Sequence, residues 1–333
     1  MGGGLGEQMK IAVLLLVHKN KEQLERLLMN LSHANVDIFV HVDQKCDFSP
    51  DEIRYGGSVR FTEKRYNIGL FEFSMVDAEM ELIRTARKYG EYQYFVLMSG
   101  QCYPLCKTEE LYCCLKERYP EPFIEIVSPT KENYVKKNFA HVYILKRLKL
   151  RTYDVLKKVF PHKVFRLLRY LPGGFVFGVS AIKELFYGSP KKRLQAMGFP
   201  LYCGSQWWIL PDRVIDNVLA EYDNKKFCKA IYDTFSCDET FFQTAIMKKS
   251  IENGIVLDEK GNYMNKRWYF VFSDGHPITL TKNDYPEIAN SGMWFARKFD
   301  TTVDQDILDI IDREKLTCIA NNDPPRKDVF YEL

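Results

Sequence analysis

Two adjacent carboxylates, Asp238 and Glu239, lie in a small polar turn before an aromatic-rich predicted helix. Ser236 has the type and spacing of the N-cap residue, which places Glu239 at the third helical position. A glutamate there can complete a capping box, which is a purely structural role. A carboxylate can also act as a general base that takes a proton from a hydroxyl group. The local pattern leaves both roles open.

Two further stretches carry side chains suited to a binding site. Residues 204–210 include the consecutive tryptophans Trp207 and Trp208. Consecutive strand positions face opposite sides, so we expect at least one indole to line a surface or cleft, where it could stack on a sugar. Packing in the core is the alternative for both rings. The second stretch, residues 295–300, places two basic side chains between two phenylalanines.

Alternating strands and helices are predicted to position these residues. The apolar run at residues 10–17 is typical of a strand buried on both faces, and leucines at helical spacing follow it. The predicted order is strand 10–17, helix 21–31, strands 38–42 and 59–61, helix 73–88, strand 94–98 and helix 108–117. This alternation predicts an α/β half over residues 9–126, doubly wound around a mostly parallel sheet. Residues 175–333 form a mixed half, with a strand at 206–210 and helices at 211–222, around Glu239 and at 303–313.

Polar residues follow the ends of three predicted strands, where ligands bind in open α/β sheets. A nucleotide is expected there, and Asp43 is suited to accept hydrogen bonds from a ribose or a base. Capping of a loop is the alternative role for Asp43. The sequence has no G-x-G-x-x-G or P-loop motif, so this indication is positional. The candidate nucleotide-binding residues are Val17, His18, Asp43, Ser99, Gly100 and Gln101.

The composition is that of an ordinary globular protein, with 333 residues, 46% of them hydrophobic, and a net charge of +3. This small charge does not indicate nucleic acid as a partner. Nine cysteines, an odd number, favour a reducing compartment over a disulfide framework. Four of them crowd within residues 102–114 without paired C-x-x-C spacing, so buried thiols are favoured over a zinc site.

The chain has no apolar run long enough to span a bilayer. Residues 1–8 lack the order of a signal peptide and are interpreted as a leader or tag remnant. Residues 127–174 are predicted to be an insertion, within which residues 131–169 hold twelve Lys or Arg and two acidic residues. Interleaved apolar residues predict one or two amphipathic helices there. Their cations could form a solvated rim, or they could contact anionic lipid at the inner face of a bacterial membrane.

Seven motifs together resemble the core-2/I-branching β-1,6-N-acetylglucosaminyltransferase family, which includes the peptide O-xylosyltransferases. The motifs are IAVLLLVHKN (11–20), EQLERLL (22–28), HVDQK (41–45), YFVLMSGQCYPL (94–105), GSQWWIL (204–210), DETFFQT (238–244) and FARKFD (295–300). The resemblance extends over residues 9–313. It implies a GT-A-like glycosyltransferase fold and inverting transfer from a UDP-sugar. Residues 9–126 would bind the nucleotide-sugar, and residues 175–333, integrated with them in one domain, would bind the acceptor and carry the catalytic residue. N-acetylglucosamine is the expected sugar, and xylose is the alternative.

The resemblance also implies roles for single residues. Glu239 matches the family's catalytic base, and Asp238 would orient this turn or cap the helix that follows it. Arg267 and Lys298 match the cations that the family uses at the diphosphate in place of a metal ion, so neither a metal nor a cofactor is expected. The acceptor- or sugar-binding candidates are Gly204, Ser205, Gln206, Trp207, Trp208 and Asp238.

Two positions depart from the family's pattern. Cys237 replaces a proline before Asp238, which leaves the turn possible. Cys102 replaces the aspartate that usually follows the Ser-Gly-Gln motif, which puts a sugar contact at that position in doubt.

The expected function is metal-independent sugar transfer in bacterial surface glycan synthesis by a cytoplasmic enzyme. Its expected partners are a UDP-sugar and a glycan or lipid-linked glycan acceptor. One alternative is a non-catalytic nucleotide- or glycan-binding protein of the same fold, but a binding module has no need of a base such as Glu239. The other alternative is a metal-dependent GT-A transferase of a different family.

Overall fold

We describe the fold from a computed structural model that covers residues 8–55, 57–128, 183–273 and 276–316. Its strands are β1 (Ile11–Val17), β2 (Val36–Val42), β3 (Val59–Phe61), β4 (Tyr94–Ser99), β5 (Cys102–Pro104), β6 (Glu125–Ile126), β7 (Ile209–Pro211), β8 (Tyr263–Met264), β9 (Trp268–Tyr269), β10 (Phe272–Ser273), β11 (His276–Pro277) and β12 (Phe295–Arg297). Its α-helices are α1 (Lys21–Asn30), α2 (Phe73–Tyr89), α3 (Thr108–Arg118), α4 (Pro190–Gln195), α5 (Asp212–Asp223), α6 (Lys225–Ile231), α7 (Asp238–Met247), α8 (Tyr285–Asn290) and α9 (Asp306–Ile311).

The described residues form two compact units, which are defined by the contacts within the chain. Unit 1 draws on residues up to 65, on 82–121 and on those from 266 onward, and unit 2 draws on 66–81 and 122–265. The predicted assignment of residues 9–126 to the donor and 175–333 to the acceptor stays a prediction. The predicted leader, apart from Gln8, and the basic segment 131–169 lie outside the described residues.

Unit 1 is built on a parallel sheet in which β1 pairs with both β2 and β4, and β2 pairs with β3. Every residue of β1 is buried, as its continuous apolar run predicts. The mixed α/β class and the mostly parallel sheet are therefore confirmed. In a parallel sheet all strands end at one edge, so the residues after β1, β2 and β4 share that edge.

The predicted helices of the first half are confirmed to within about two residues, the usual scatter of helix ends. In α1 the leucines at helical spacing, Leu24, Leu27 and Leu28, are fully buried. Asn20 caps this helix with its side chain, which accepts a hydrogen bond from the Gln23 amide. Three residues, His18, Lys19 and Asn20, thus connect β1 to this helix.

A second, smaller sheet of unit 1 joins segments that are far apart in sequence. Its central strand, β12, pairs antiparallel with β5 and parallel with β9. The sequence predicted a turn before residue 102 and no strand after it, because three residues are too few to show a strand pattern. The partner of β5 also lies too far along the chain to be found from local spacing.

Unit 2 has an aromatic core around Phe241 of α7, whose ring lies 5.3 Å from Phe227 and 5.9 Å from Phe73. Strands β6 and β8 pair antiparallel in this unit. The predicted strand at residues 206–210 is wrong in its bounds, since β7 begins only at Ile209. The last predicted helix, at 303–313, is shorter than expected and covers Asp306–Ile311. Within the described ranges, none of the helices has the length and apolar character needed to cross a membrane.

Candidate functional site

The ends of β1, β2 and β4 meet in unit 1 and bring several predicted nucleotide-binding residues together. The Asp43 amide donates to the Val17 carbonyl at 2.7 Å, and the Gly100 amide donates to the Leu16 carbonyl at 2.9 Å. These backbone bonds fix the turns that follow the three strands. His18 directly follows β1 at this edge.

Gln101 ties the segment that carries Lys298 to the same edge. The Phe299 amide donates to the Gln101 carbonyl at 2.9 Å, and the Gln101 side-chain amide donates to the Phe299 carbonyl at 3.2 Å. Gln23 of α1 also donates to the carbonyls of Gly100 and Phe299, at 2.9 Å and 3.2 Å. The side chain of Gln101 is thus committed to positioning residue 299, and through it Lys298.

Four basic side chains gather at this edge, and we call them the cation cluster: His18, Lys19, Arg297 and Lys298. Desolvation lowers the pKa of Lys298, and the charges of Lys19 and Arg297 lower it further against an opposing effect of Asp300. The pKa of His18 is lowered by desolvation first, then by Lys19 and Lys298, while Asp43 acts in the opposite direction. Mutual destabilisation of like charges is the electrostatic condition that an anion would relieve.

The two acids of this edge already have partners. Asp43 is 3% exposed and accepts a hydrogen bond from the Lys45 amide at 2.8 Å, with the Lys45 ammonium at 3.2 Å. Asp300 pairs with Lys19 and accepts from the Thr302 hydroxyl at 2.7 Å. Burial acts to raise the pKa of Asp300, but the hydrogen bonds from Lys19 and Thr302 outweigh it and bring it to about 2. Asp300 therefore helps to position Lys19 of the cluster, whereas Asp43 is bound to Lys45.

Arg267 lies beside the start of β12, because its carbonyl accepts from the amides of Trp294 and Phe295 at 3.1 Å and 3.0 Å. Its guanidinium stacks over the Trp294 ring, 4.9 Å from the ring centre. Lys298 follows the other end of the same three-residue strand. The structure thus attaches both predicted cations to β12. In the part of the chain that is described, no three or more His, Cys, Asp or Glu side chains are placed to hold a metal ion.

The predicted base lies in unit 2 at the start of α7. This helix takes Cys237 as its N-cap and has no side-chain capping bond, so Glu239 is its second residue. The Ser236 hydroxyl instead donates to the Asp238 carboxylate at 2.7 Å. The predicted N-cap at Ser236 differs from this start by one residue, which is within the usual scatter of helix ends because Cys237 already has helical backbone angles. Glu239 is half-buried.

Residues 202–206 form a segment, which we call the strap, that is bound to α7 along its length. The Gly204 amide donates to the Glu239 carbonyl at 2.9 Å, and the Gln243 side chain donates to the Ser205 carbonyl at 2.7 Å. The Thr244 hydroxyl donates to the Tyr202 carbonyl at 3.0 Å. Gly204 is needed because the strap also passes close to β6, where a Cβ atom on residue 204 would lie 1.8 Å from the Glu125 carbonyl oxygen.

Both tryptophans of the GSQWWIL motif are buried, with Trp207 4% and Trp208 0% exposed. Trp208 packs against Phe242 with ring centres 4.9 Å apart, so it belongs to the core. The expectation that at least one ring faces a surface assumed that both lie in a strand, but β7 begins only after them. A sugar contact by Trp207 stays a prediction, and burial does not support one for Trp208.

Glu79 of α2 contacts the strap and was not predicted as a site residue. It is fully buried, and its Oε1 atom accepts a hydrogen bond from the Gln206 side chain at 2.7 Å. Burial raises its pKa well above the usual value, and the nearby charge of Asp238 raises it further, while Gln206 opposes both. A signal was present, because Glu79 lies at helical spacing between the buried Val76 and Ile83, on the apolar face.

The two departures from the family pattern have simple structural accounts. Cys237 has a φ of −69°, which a proline would also adopt, so the turn keeps its path. Cys102 is fully buried, and its sulfur accepts from the Ser99 amide at 3.4 Å, so it has a packing role in β5. The eight cysteines of the described ranges are all free.

Comparisons with known proteins identify relatives of the chain. A family model described as Core-2/I-Branching enzyme matches residues 11–284. The chain is 22% identical over 323 residues to a mouse (Mus musculus) beta-1,3-galactosyl-O-glycosyl-glycoprotein beta-1,6-N-acetylglucosaminyltransferase 4, covering 90% of this chain and 64% of that protein. It is 24% identical over 318 residues to the Arabidopsis thaliana beta-glucuronosyltransferase GlcAT14B, covering 89% of this chain and 63% of that protein. The chain thus spans slightly less than two thirds of either relative.

Proposed function

Since the chain belongs to the Core-2/I-Branching enzyme family, we propose that it is an inverting glycosyltransferase of GT-A fold. In this proposal it moves a sugar from a UDP-sugar to a hydroxyl group of a glycan, without a metal ion. N-acetylglucosamine is the proposed sugar, in line with the name of the mouse relative. The name of the Arabidopsis relative makes glucuronic acid the first competitor.

The observation that carries the proposal is the cation cluster at the strand ends of unit 1. Departure of UDP leaves negative charge on the diphosphate, and fixed cations can stabilise that charge as a metal ion would. Lys298 is suited to this role because desolvation, and then the charges of Lys19 and Arg297, disfavour its own charge until an anion arrives. Arg267 is the second proposed cation, and the turns at Val17, Asp43 and Gly100 are the proposed contacts of the nucleoside.

Glu239 is the proposed base. The acceptor hydroxyl must lose its proton as its oxygen attacks the anomeric carbon, and a carboxylate within hydrogen-bond reach can take that proton. Glu239 is half-buried at the start of α7, and its carbonyl is held by the Gly204 amide. Asp238 is proposed to orient this turn through its hydrogen bond from Ser236.

The acceptor that we propose is a lipid-linked glycan. In this proposal the protein is a cytoplasmic enzyme of bacterial surface glycan synthesis. The support for a lipid-linked acceptor is the excess of basic residues in segment 131–169, which suits an anionic membrane surface. A bacterial source and a cytoplasmic site are inferences from the sequence alone.

A screen of UDP-sugars with and without EDTA tests the proposal. Each of UDP-N-acetylglucosamine, UDP-glucuronic acid and UDP-xylose is incubated with the protein, and release of UDP and thermal stabilisation are both measured. We expect one sugar to be hydrolysed or transferred at a rate that EDTA leaves unchanged. Stabilisation by UDP without turnover of any sugar would instead favour a non-catalytic binding protein. Strict dependence on added Mn²⁺ or Mg²⁺ would overturn the proposed role of the cations.

A further inference from the structure

Glu79 is a buried carboxyl group that the proposed mechanism does not use. It is fully buried in α2, and one of its oxygens, Oε1, accepts the hydrogen bond from Gln206. Its other oxygen, Oε2, is buried and has no hydrogen-bond partner among the described residues. A buried ionised carboxylate needs several donors or a cation, so this environment suits the neutral acid.

The charge beside Glu79 comes from the element that carries the proposed base. Asp238, the first residue of α7, is the charged group that acts on Glu79. Two buried carboxylates that act on each other electrostatically cannot both be ionised without a large cost in free energy. Asp238 is held by the Ser236 hydroxyl, whereas Glu79 has a single amide donor, so the proton belongs on Glu79.

The hydrogen bond from Gln206 connects Glu79 to the strap. Gln206 is the last residue of the strap, which binds α7 through Gly204, Ser205 and Tyr202. The strap is therefore held at one end by α2 and along its length by α7. Loss of the contact at Glu79 would release the end of the strap at Gln206. That end is close in sequence to Gly204, whose amide binds the Glu239 carbonyl.

We propose that Glu79 is a positioning residue, an uncharged carboxyl group that anchors the strap and thereby fixes the first turn of α7, where Glu239 lies. The proposal rests on the proposed function insofar as it assigns a catalytic consequence to that turn. Its structural part, the anchoring of the strap, stands independently of any activity.

Two variants separate the anchoring role from a need for the acid itself. Glu79→Gln keeps the shape, the lack of charge and an oxygen that can accept from Gln206, so we expect kcat within about threefold of wild type. Glu79→Ala removes the acceptor, so we expect kcat to fall by about tenfold or more while KM for the UDP-sugar stays unchanged. Glu81→Ala, a change of a half-buried glutamate on the same helix, is the matched control and should leave both constants unchanged.

Hydrogen–deuterium exchange gives a readout that does not depend on activity. In Glu79→Ala we expect faster exchange in peptides that cover residues 202–206 and the start of α7, and in Glu79→Gln we expect exchange as in wild type. Unchanged exchange in Glu79→Ala would overturn the anchoring role whatever the enzyme does. A Glu79→Gln variant as slow as Glu79→Ala would also overturn it, since the proton rather than the anchor would then be needed.

The exchange experiment also tests the anchoring role of Glu79 separately from the proposed role of Glu239 as the base. Full activity of a Glu239→Gln variant would refute the proposed base, and yet the exchange result for Glu79→Ala would still decide whether the strap is anchored there. Faster exchange in Glu79→Ala without a loss of kcat would retain the anchor and refute its catalytic consequence.

Discussion

At Lys298, the neighbours that prepare the side chain for an anion also weaken its hold on a proton. Desolvation and the charges of Lys19 and Arg297 lower its pKa below the usual 10.5. The cationic form is the one that binds a diphosphate. As pH rises through the lowered pKa, the free protein loses that form, so binding must weaken at a lower pH than for an ordinary lysine.

Lys298→Arg is expected to remove this pH dependence, because a guanidinium stays charged across the range. We expect the affinity of the wild type for UDP to fall between pH 7 and pH 10, and that of the variant to fall less. Isothermal titration calorimetry at four pH values measures both, and the variant also controls for ionisation of the nucleotide. Lys298→Ala should weaken UDP binding by about tenfold or more at pH 7. Identical pH slopes for wild type and Lys298→Arg would remove Lys298 from the diphosphate site.

Glu239→Gln is expected to abolish transfer and leave UDP affinity nearly intact, because the proposed base acts on the acceptor hydroxyl. Loss of a positioned base typically costs about 10²–10⁴ in rate. Initial rates with the donor found in the sugar screen, together with UDP titration, provide the measurement. Glu252→Gln, a change of an exposed glutamate of unit 2, is the control and should behave as wild type. A fully active Glu239→Gln variant with intact fold would leave Glu239 a structural residue.

At the scale of elements, the strap depends on a glycine at one position. A side chain on Gly204 would meet the backbone of β6 at Glu125, and backbone cannot move aside as a flexible side chain can. The amide of the same residue binds the Glu239 carbonyl, so the strap would have to shift away from β6 or from α7.

Gly204→Ala is therefore expected to destabilise the protein by about 3 kcal/mol, the upper range for overpacking a well-packed interior. The free energy of unfolding from urea titration measures this. Gly90→Ala is a matched control, because its added Cβ would lie no closer than 3.6 Å to Tyr92. We expect that control to change the stability by less than about 1 kcal/mol. Equal stability of the two variants would show that the strap can yield at Gly204.

Long apolar elements were predictable from the sequence, and short or non-local ones were not. The run that forms β1 and the leucine spacing of α1 appear directly as burial, so their bounds are correct to about one residue. β5 escaped prediction because its pairing partner lies near the other end of the chain. The tryptophans were placed in a strand because local pattern cannot tell a buried loop from a buried strand.

The candidate site was predictable only where a residue follows a long strand or belongs to a motif. Motif matching found Lys298, but nothing local predicts that desolvation and the charge of the distant Lys19 lower its pKa. Glu79 was missed because a single glutamate on an apolar helix face gives no indication of what lies opposite, and its partner Gln206 is distant in sequence. These relations arise from tertiary packing.

At the scale of the whole molecule, positive charge is concentrated in the basic segment 131–169. It carries twelve Lys or Arg and two acidic residues, whereas the 333 residues together have a net charge of only +3. Cations near an anionic lipid surface contribute about 1 kcal/mol each. This excess could therefore hold a protein at a membrane without a spanning helix.

Sedimentation with liposomes tests this interaction. We expect the protein to pellet with anionic vesicles, to remain in solution with neutral vesicles, and to be released by salt. The variant replaces four basic residues of the segment by Gln, namely Lys146, Arg147, Lys149 and Arg151. The control replaces four exposed lysines elsewhere by Gln, namely Lys88, Lys116, Lys191 and Lys260. Equal recovery of wild type with both kinds of vesicle would leave the segment as a solvated rim or an acceptor groove.

The pairing of β5 with β12 has a consequence for synthesis of the chain on the ribosome. Pro104 pairs with Phe295, so β5 leaves the exit tunnel long before its partner has been translated. At about 5–20 residues added per second, the nascent chain holds an unpaired strand edge for roughly ten seconds or more. An unpaired edge can join another chain, so this interval is when nascent molecules need shielding. A product that stops before residue 295 keeps the parallel sheet segments of unit 1 but never acquires the strand that covers β5.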